Sequence, residues 1–133
     1  MISFNVVNWL AVLAGTVLSM AVGALWYGPL FGNLWLRLIE KDLDDLESDP
    51  MDYVKTAIAA FVAMLFLNLV VVSFGAASFV DGLVAGGLTF IGLGATATFV
   101  YTTFEGPKES VWLLYAAYQL VVFAIMGGVF AIW

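Results

Sequence analysis

The side chains of this sequence with the chemistry to bind or react are few, and most of them lie inside long apolar stretches. They are two amides, three phenols and one carboxylate: Asn68, Gln119, Tyr101, Tyr115, Tyr118 and Glu105. An amide in hydrocarbon is costly unless it is paired, so Asn68 and Gln119 are expected to meet inside a helix bundle. Interhelical hydrogen bonds of this kind contribute about 0.6 kcal/mol on average, which makes packing a sufficient explanation. A site for a small polar or aromatic ligand, built with the tyrosines, is the alternative.

Glu105 is the acidic residue that lies directly at the end of an apolar stretch. If buried, it would carry or relay a proton; otherwise it reaches headgroup water or pairs with Lys108. The apolar stretches contain no second acid and no Lys or Arg to complete a proton path. Proton-coupled transport is therefore disfavoured.

The sequence contains neither Cys nor His. Thiol nucleophiles, imidazole bases and the commonest zinc ligands are thus excluded together. A net charge of -6 argues against nucleic-acid binding, which needs clustered Lys and Arg. We expect no catalytic residue, no cofactor, no metal site and no nucleic-acid partner. A lipid-modifying enzyme has little support, because the acid and tyrosines near one interface form no base and nucleophile pair.

Four stretches of nineteen or more residues without a charged side chain must position these candidates. Each is long enough to cross a hydrocarbon core about 30 Å thick as a helix, and 64% of the 133 residues are hydrophobic. The predicted spans cover about 6–27, 57–74, 83–104 and 111–133. The sequence therefore predicts an all-α integral membrane protein, a single transmembrane domain over residues 1–133 with four helices in a bundle. Membrane lipid is its first expected partner.

The first connection between spans has a pattern of its own. Its apolar residues recur at spacings of three and four, and its charged residues take the opposite face, which predicts an amphipathic interfacial helix over about 30–47. The helix either buries its apolar stripe at the headgroups or serves as a docking or gating element. Its many acidic residues lack the spacing of a calcium loop, so a solvated acidic face is favoured.

The basic residues give an orientation. Arg37, Lys41 and Lys55 flank the first connection and Lys108 lies in the third, while the second connection and both termini have none. Basic residues in short loops favour the cytoplasmic side. We therefore expect a multi-pass protein of the cell membrane, with the long acidic loop in the cytoplasm and both termini outside.

Small residues recur along two of the spans and predict close helix packing. They fall on the first and third spans: Ala11, Gly15, Ser19 and Gly23, and Gly82, Gly86 and Gly92. Stripes of this kind let the backbone of another helix approach. The partner is either another helix of the same bundle or a helix of a second copy or another membrane protein; a lined pathway is the alternative.

Two groups of residues resemble a known family. They lie at the exit of the first span and around the third-to-fourth helix region: Asn8-Trp9, Gly23 to Gly32 and Trp35, and then Phe104-Glu105-Gly106, Tyr118, Met126-Gly127 and Trp133. This pattern resembles the family catalogued as domain of unknown function 1761, over essentially the whole chain. The resemblance implies a small four-span membrane protein and supplies no activity, cofactor or catalytic residue. The chain departs from the family at two places. Members often have Arg after the Phe-Glu-Gly run, where this chain has Pro107 or Lys108. They often have His or Trp after the Tyr of the fourth helix, where this chain has Gln119.

The most specific part of that pattern is Trp26-Tyr27-Gly28-Pro29. Pro removes an amide donor and disfavours helix in the preceding residue, so this run is expected to end the first helix and form a corner at the interface. Trp26 and Tyr27 would anchor that depth.

Two functional hypotheses follow. The favoured one is a non-enzymatic protein that acts through helix contacts, as a homo-oligomer or as an accessory subunit of a membrane assembly. The alternative is a small carrier or channel whose pathway is completed by oligomerisation and uses the polar residues named first.

Overall fold

The computed structural model describes residues 3–133, so residues 1 and 2 of the expected domain lie outside the described part. Six α-helices make up most of the structure: α1 (Trp9–Leu25), α2 (Gly32–Ile39), α3 (Pro50–Ser73), α4 (Phe79–Thr89), α5 (Thr96–Phe104) and α6 (Glu109–Ile132). Short 3₁₀ turns occupy Phe4–Val6 and Leu43–Asp45, and two π-helical turns occupy Trp26–Leu30 and Phe90–Ala95. Residues 3–133 contain no β-strand.

Four helical segments are long and apolar enough to cross a membrane: Trp9–Leu30, Pro50–Ser73, Phe79–Phe104 and Glu109–Ile132. The all-helical fold with four such helices confirms the prediction from the sequence. The third segment combines α4, a π turn and α5 into one continuous rod.

Side-chain caps set where three of these helices begin. Asn8, Asp49 and Ser78 each stand at the N-cap, and their side chains accept backbone N–H groups of the first turn. Such caps satisfy donors that have no partner within the helix. Because Asp49 caps α3 and Pro50 suits a first helical position, α3 begins at Pro50 and not near residue 57.

The first span does not end at Gly28-Pro29 as predicted. The chain continues through Pro29 as a π turn, in which the N–H of Phe31 donates to the Trp26 carbonyl at 2.8 Å. Proline in an ordinary helix clashes with the carbonyl four residues earlier; the wider π turn avoids that position. The corner falls instead at Phe31, and a Cβ at Gly32 would lie 2.8 Å from the Tyr27 carbonyl oxygen.

The predicted interfacial helix over 30–47 is wrong beyond Ile39. Glu40 has a left-handed backbone with φ of 57° and ends α2. The N–H of Asp42 then donates to the Asp45 carboxylate at 2.9 Å, inside a 3₁₀ turn. Acidic side chains that bond nearby backbone groups compete with helix, so the acid-rich half of the segment forms turns.

The tightest packing joins α4 to α6. Gly82 and Gly86 lie against the backbone carbonyls of Gly127 and Phe123, so close that a Cβ at either glycine would overlap those oxygens. Gly128 lies under the ring of Phe79. The small-residue stripe at Gly82 and Gly86 is thus occupied within the chain.

A second packed region joins α1, α3 and α6 near Asn8. Ala11 and Val12 are fully buried, and a Cβ at Gly15 would lie 2.8 Å from the Met126 methyl carbon and 3.2 Å from the Met64 sulfur. The stripe predicted on the first helix also packs within the chain. Gly92 differs: it is exposed, and a Cβ there would have nothing within 4 Å.

Candidate functional site

A cavity of about 240 Å³ lies inside the bundle, between α1, α3, α6 and the π turn of Phe90–Ala95. We call it the central cavity. Six polar side chains contribute to its lining: Ser19, Thr56, Thr98, Tyr115, Tyr118 and Gln119. Three of the predicted site residues, Tyr115, Tyr118 and Gln119, are therefore brought together.

The hydrogen bonds of the central cavity fix most of these groups. The Tyr118 hydroxyl donates to the Ser19 carbonyl at 2.8 Å and joins α6 to α1. The Gln119 amide nitrogen donates to the Tyr115 hydroxyl at 3.3 Å on the same helix. Its amide oxygen accepts no hydrogen bond from residues 3–133, which leaves an acceptor at the cavity.

Thr98 lies on α5 and is hydrogen-bonded both within its own span and to α6. Its hydroxyl donates to the Gly94 carbonyl at 2.8 Å and accepts the indole N–H of Trp112 at 3.0 Å. Trp112 also packs edge-on against Phe99, with ring centroids 4.9 Å apart. The wall formed by α5 is thereby attached to α6.

A second space of about 830 Å³, the vestibule, lies at the end of the bundle that carries Lys108. Its lining includes six aromatic side chains and one carboxylate: Tyr27, Trp35, Tyr53, Tyr101, Trp112, Tyr115 and Asp52. Thr56, Thr98 and Tyr115 line both the vestibule and the central cavity. The two spaces are therefore adjacent and share part of their lining.

The other end of the central cavity is closed by apolar packing. Met64 and Val122, which line it, are 1% and 3% exposed. Met126 and Phe130 pack beyond them against Gly15. The route from the vestibule therefore stops inside the bundle.

The helix-exit run places aromatic rings at the mouth of this route. Tyr27 packs edge-on against Trp35 of α2 and against Tyr118 of α6, with ring centroids 5.3 Å and 5.8 Å apart. Trp26 packs on Phe31 at 4.5 Å, and its buried indole N–H has no hydrogen-bond partner among residues 3–133. Gly28 and Pro29, the other two residues of the run, are exposed.

Asn68 lies elsewhere. It is 1% exposed, and its side-chain oxygen accepts the backbone N–H of Asn8 at 3.3 Å. The Asn8 side chain in turn caps α1 at the Ala11 N–H. The expected pairing of Asn68 with Gln119 is wrong, because the first anchors the start of α1 and the second bonds within α6.

Tyr101 and Glu105 lie at the Lys108 end. Tyr101 is 58% exposed and lines the vestibule. Glu105 is exposed at the end of α5 and lines neither space. Lys108 pairs with Glu40, at 3.2 Å, and not with Glu105 as one interpretation expected.

Several lining residues were missed from the sequence, although a signal existed. Thr98 precedes Tyr101 by three residues, and Trp112 precedes Tyr115 by three, so each pair shares one helix face. Both pairs lie near the ends of spans that meet at Lys108. Aromatic and hydroxyl residues at this spacing on neighbouring spans were the available indication of a lined space.

Residues 3–133 contain no group of three or more Asp or Glu side chains placed to hold a metal ion.

Comparison with known proteins identifies one relationship. A family model described as "Protein of unknown function (DUF1761)" matches residues 10–131, nearly the whole chain. Searches of curated proteins and of solved structures found no match. The four membrane-length helices and this match together show that the chain belongs to the DUF1761 family.

Proposed function

We propose that this protein is a small membrane carrier that binds an amphipathic molecule in the central cavity. The observation that carries the proposal is a pair of adjacent spaces: the vestibule lies at the Lys108 end, and the central cavity ends against the buried side chains of Met64 and Val122. A site that opens to one side at a time is what alternating access requires. The alternative hypothesis from the sequence was a carrier or channel with a pathway completed by oligomerisation; the carrier proposed here has its route within one chain.

The residues that do the binding are those that line the route. Gln119 offers an unpaired amide oxygen, and the tyrosine and threonine hydroxyls supply further polar contacts. We propose no catalytic step, because the chain has no Cys or His and the exposed Glu105 lies outside both spaces.

The direction of opening is part of the proposal. All four basic residues lie at or beside the connections of the Lys108 end, and basic loops favour the cytoplasm. The vestibule would then open to the cytoplasm of a cell-membrane protein whose termini face outside.

The experiment uses single cysteines, because the chain has none of its own. Ala63→Cys puts a thiol at the central cavity, and Ala11→Cys puts the same thiol in the closed core. A charged maleimide that does not cross membranes is expected to label the first variant from the cytoplasmic face only, and to leave the second unlabelled. Gln119→Cys repeats the test from α6.

Absence of labelling at both positions 63 and 119, from either face, would contradict the carrier. Labelling from the outer face alone would support the cavity but show that it opens to the outside, opposite to the proposed orientation.

Assembly through helix contacts is the second candidate. Gly15, Gly82 and Gly86 pack inside the chain, so they no longer support it. Gly92 does: it is exposed on the third span, and a Cβ there meets nothing within 4 Å. Gly92→Ile is expected to break a homo-oligomer, or a complex with another membrane protein, that uses this face. If native mass spectrometry finds the same assemblies for the variant as for the unchanged protein, that contact is refuted.

A further inference from the structure

We propose that the molecule carried is an amphipathic organic cation, with its charged group held between the aromatic rings of the vestibule and Asp52. This inference rests on the carrier function proposed above. It adds the chemical class of the ligand.

The first argument is the density of aromatic rings. Six of the twelve residues that line the vestibule are Tyr or Trp. They come from the helix-exit turn, α2, α3, α5 and α6, so rings surround the space on several sides. The negative face of an aromatic ring attracts an ammonium or similar cation, and it does so more strongly as water is excluded.

The second argument is the sign of the charge. Asp52 is the one carboxylate among the described residues that line the vestibule, and none of those residues is Lys or Arg. Nine acidic and four basic residues lie at the end of the bundle that carries Lys108, which gives it a net charge of -5. Asp81, the tenth acidic residue, lies at the other end. Such a surface attracts cations and repels anions.

Asp52 has a neighbour that a ligand must outcompete. Lys55 lies 3.6 Å from its carboxylate, and both side chains are mostly exposed. An exposed pair of this kind is weak. A cation that also gains ring contacts is therefore able to displace the Lys55 ammonium.

The third argument is the shape of the route. The large aromatic vestibule adjoins a smaller central cavity, whose lining includes the apolar side chains of Ala60, Ala63 and Met64. A cationic group in the vestibule would leave an apolar group to extend toward these side chains. The ligand is therefore expected to carry both a cationic group and an apolar group.

Tetraphenylphosphonium and tetraphenylborate test the sign of the charge, because the two ions have nearly the same size and shape. Binding to the full chain in detergent is followed by equilibrium dialysis. We expect saturable binding of the phosphonium and at least about tenfold weaker binding of the borate. Equal binding of the two ions would overturn the inference.

Substitutions locate the site. Asp52→Asn is expected to weaken phosphonium binding by about threefold to fivefold, as for an exposed ion pair. Glu47→Gln, which removes the same charge at the same end outside the vestibule, is the control and leaves binding within about twofold. Equal losses in the two variants would assign the effect to general charge and would also overturn the inference.

The ring contribution has its own matched pair. Tyr53→Leu is expected to weaken phosphonium binding by about threefold, whereas Tyr53→Phe keeps the ring and the affinity. Similar losses in both variants would contradict a cation held by the ring face.

The labelling experiment separates this inference from the carrier itself. If Ala63→Cys is labelled but the phosphonium does not bind, the inference about the ligand is wrong and the carrier stands. If neither position 63 nor position 119 is labelled, the carrier fails and the inference fails with it.

Discussion

Two adjacent glycines on α4 are expected to respond to the same substitution in opposite ways. A Cβ at Gly86 would overlap the Phe123 carbonyl oxygen, lie 2.9 Å from its carbon and 3.2 Å from the Gly127 Cα. A Cβ at Gly87 would lie 3.7 Å from the nearest atom of Leu120 and 4.0 Å from Ala124. Gly86→Ala and Gly87→Ala therefore compare a closed contact with an ordinary one.

The magnitude follows from these distances. Carbon atoms in good contact are about 3.5 Å apart, so relief of the 2.9 Å contact at Gly86 requires the helices to separate by about 0.6 Å or more. The opposing atoms are backbone and cannot rotate away. Overpacking costs about 1–3 kcal/mol, and we expect the upper end, about 3 kcal/mol. Gly87→Ala gains helix propensity of about 0.5–1 kcal/mol without a clash.

Unfolding of both variants in mixed detergent micelles, followed by tryptophan fluorescence and circular dichroism, measures the difference. We expect Gly86→Ala to lose about 3 kcal/mol of unfolding free energy and Gly87→Ala to lose none. Equal stabilities would mean that α4 and α6 do not approach at Gly86, and the packing argument would be refuted.

Two other predictions concern the walls of the central cavity. Tyr118→Phe removes the hydrogen bond to the Ser19 carbonyl and is expected to cost about 0.5–1.5 kcal/mol of unfolding free energy with little change in fold; a loss of helix content by circular dichroism would contradict a purely local role. Gly94→Ala would place a Cβ 2.5 Å from the buried ring of Phe90, so a loss of about 1–3 kcal/mol is expected. Gly92→Ala in the same turn meets open space and is its control; thermal melts that coincide for the last two variants would show that the ring is free to move.

The four spans were predictable because each depends on its own composition. Apolar length alone indicates four membrane-length segments. Their exact starts needed local chemistry, since Asp49 and Pro50 extend α3 into polar residues. After α2 the same local chemistry worked against the periodic pattern, because a turn held by Asp42 and Asp45 stands where the helix was predicted to continue.

The site was less predictable because it depends on how helices are rotated and shifted against each other. The sequence indicates that Asn68 needs a partner, but whether that is Gln119 or Asn8 depends on which helices lie beside α3 at that depth. Similarly, Gly82 and Gly86 were correctly expected to pack, while the choice between a second copy and α6 was open. The aromatic rings of the vestibule come from five separate segments, and no single stretch reveals it.

The π turn of Phe90–Ala95 has a consequence for the phase of the third span. Successive residues of an α-helix are about 100° apart, so positions twelve apart, such as 86 and 98, would point about 120° away from each other. A π turn takes up about one additional residue and reduces that angle to about 20°. Gly86 and Thr98 consequently both meet α6. Without this turn, the rod that packs on α6 at one end would turn its threonine toward lipid at the other, and the wall of the cavity would be lost.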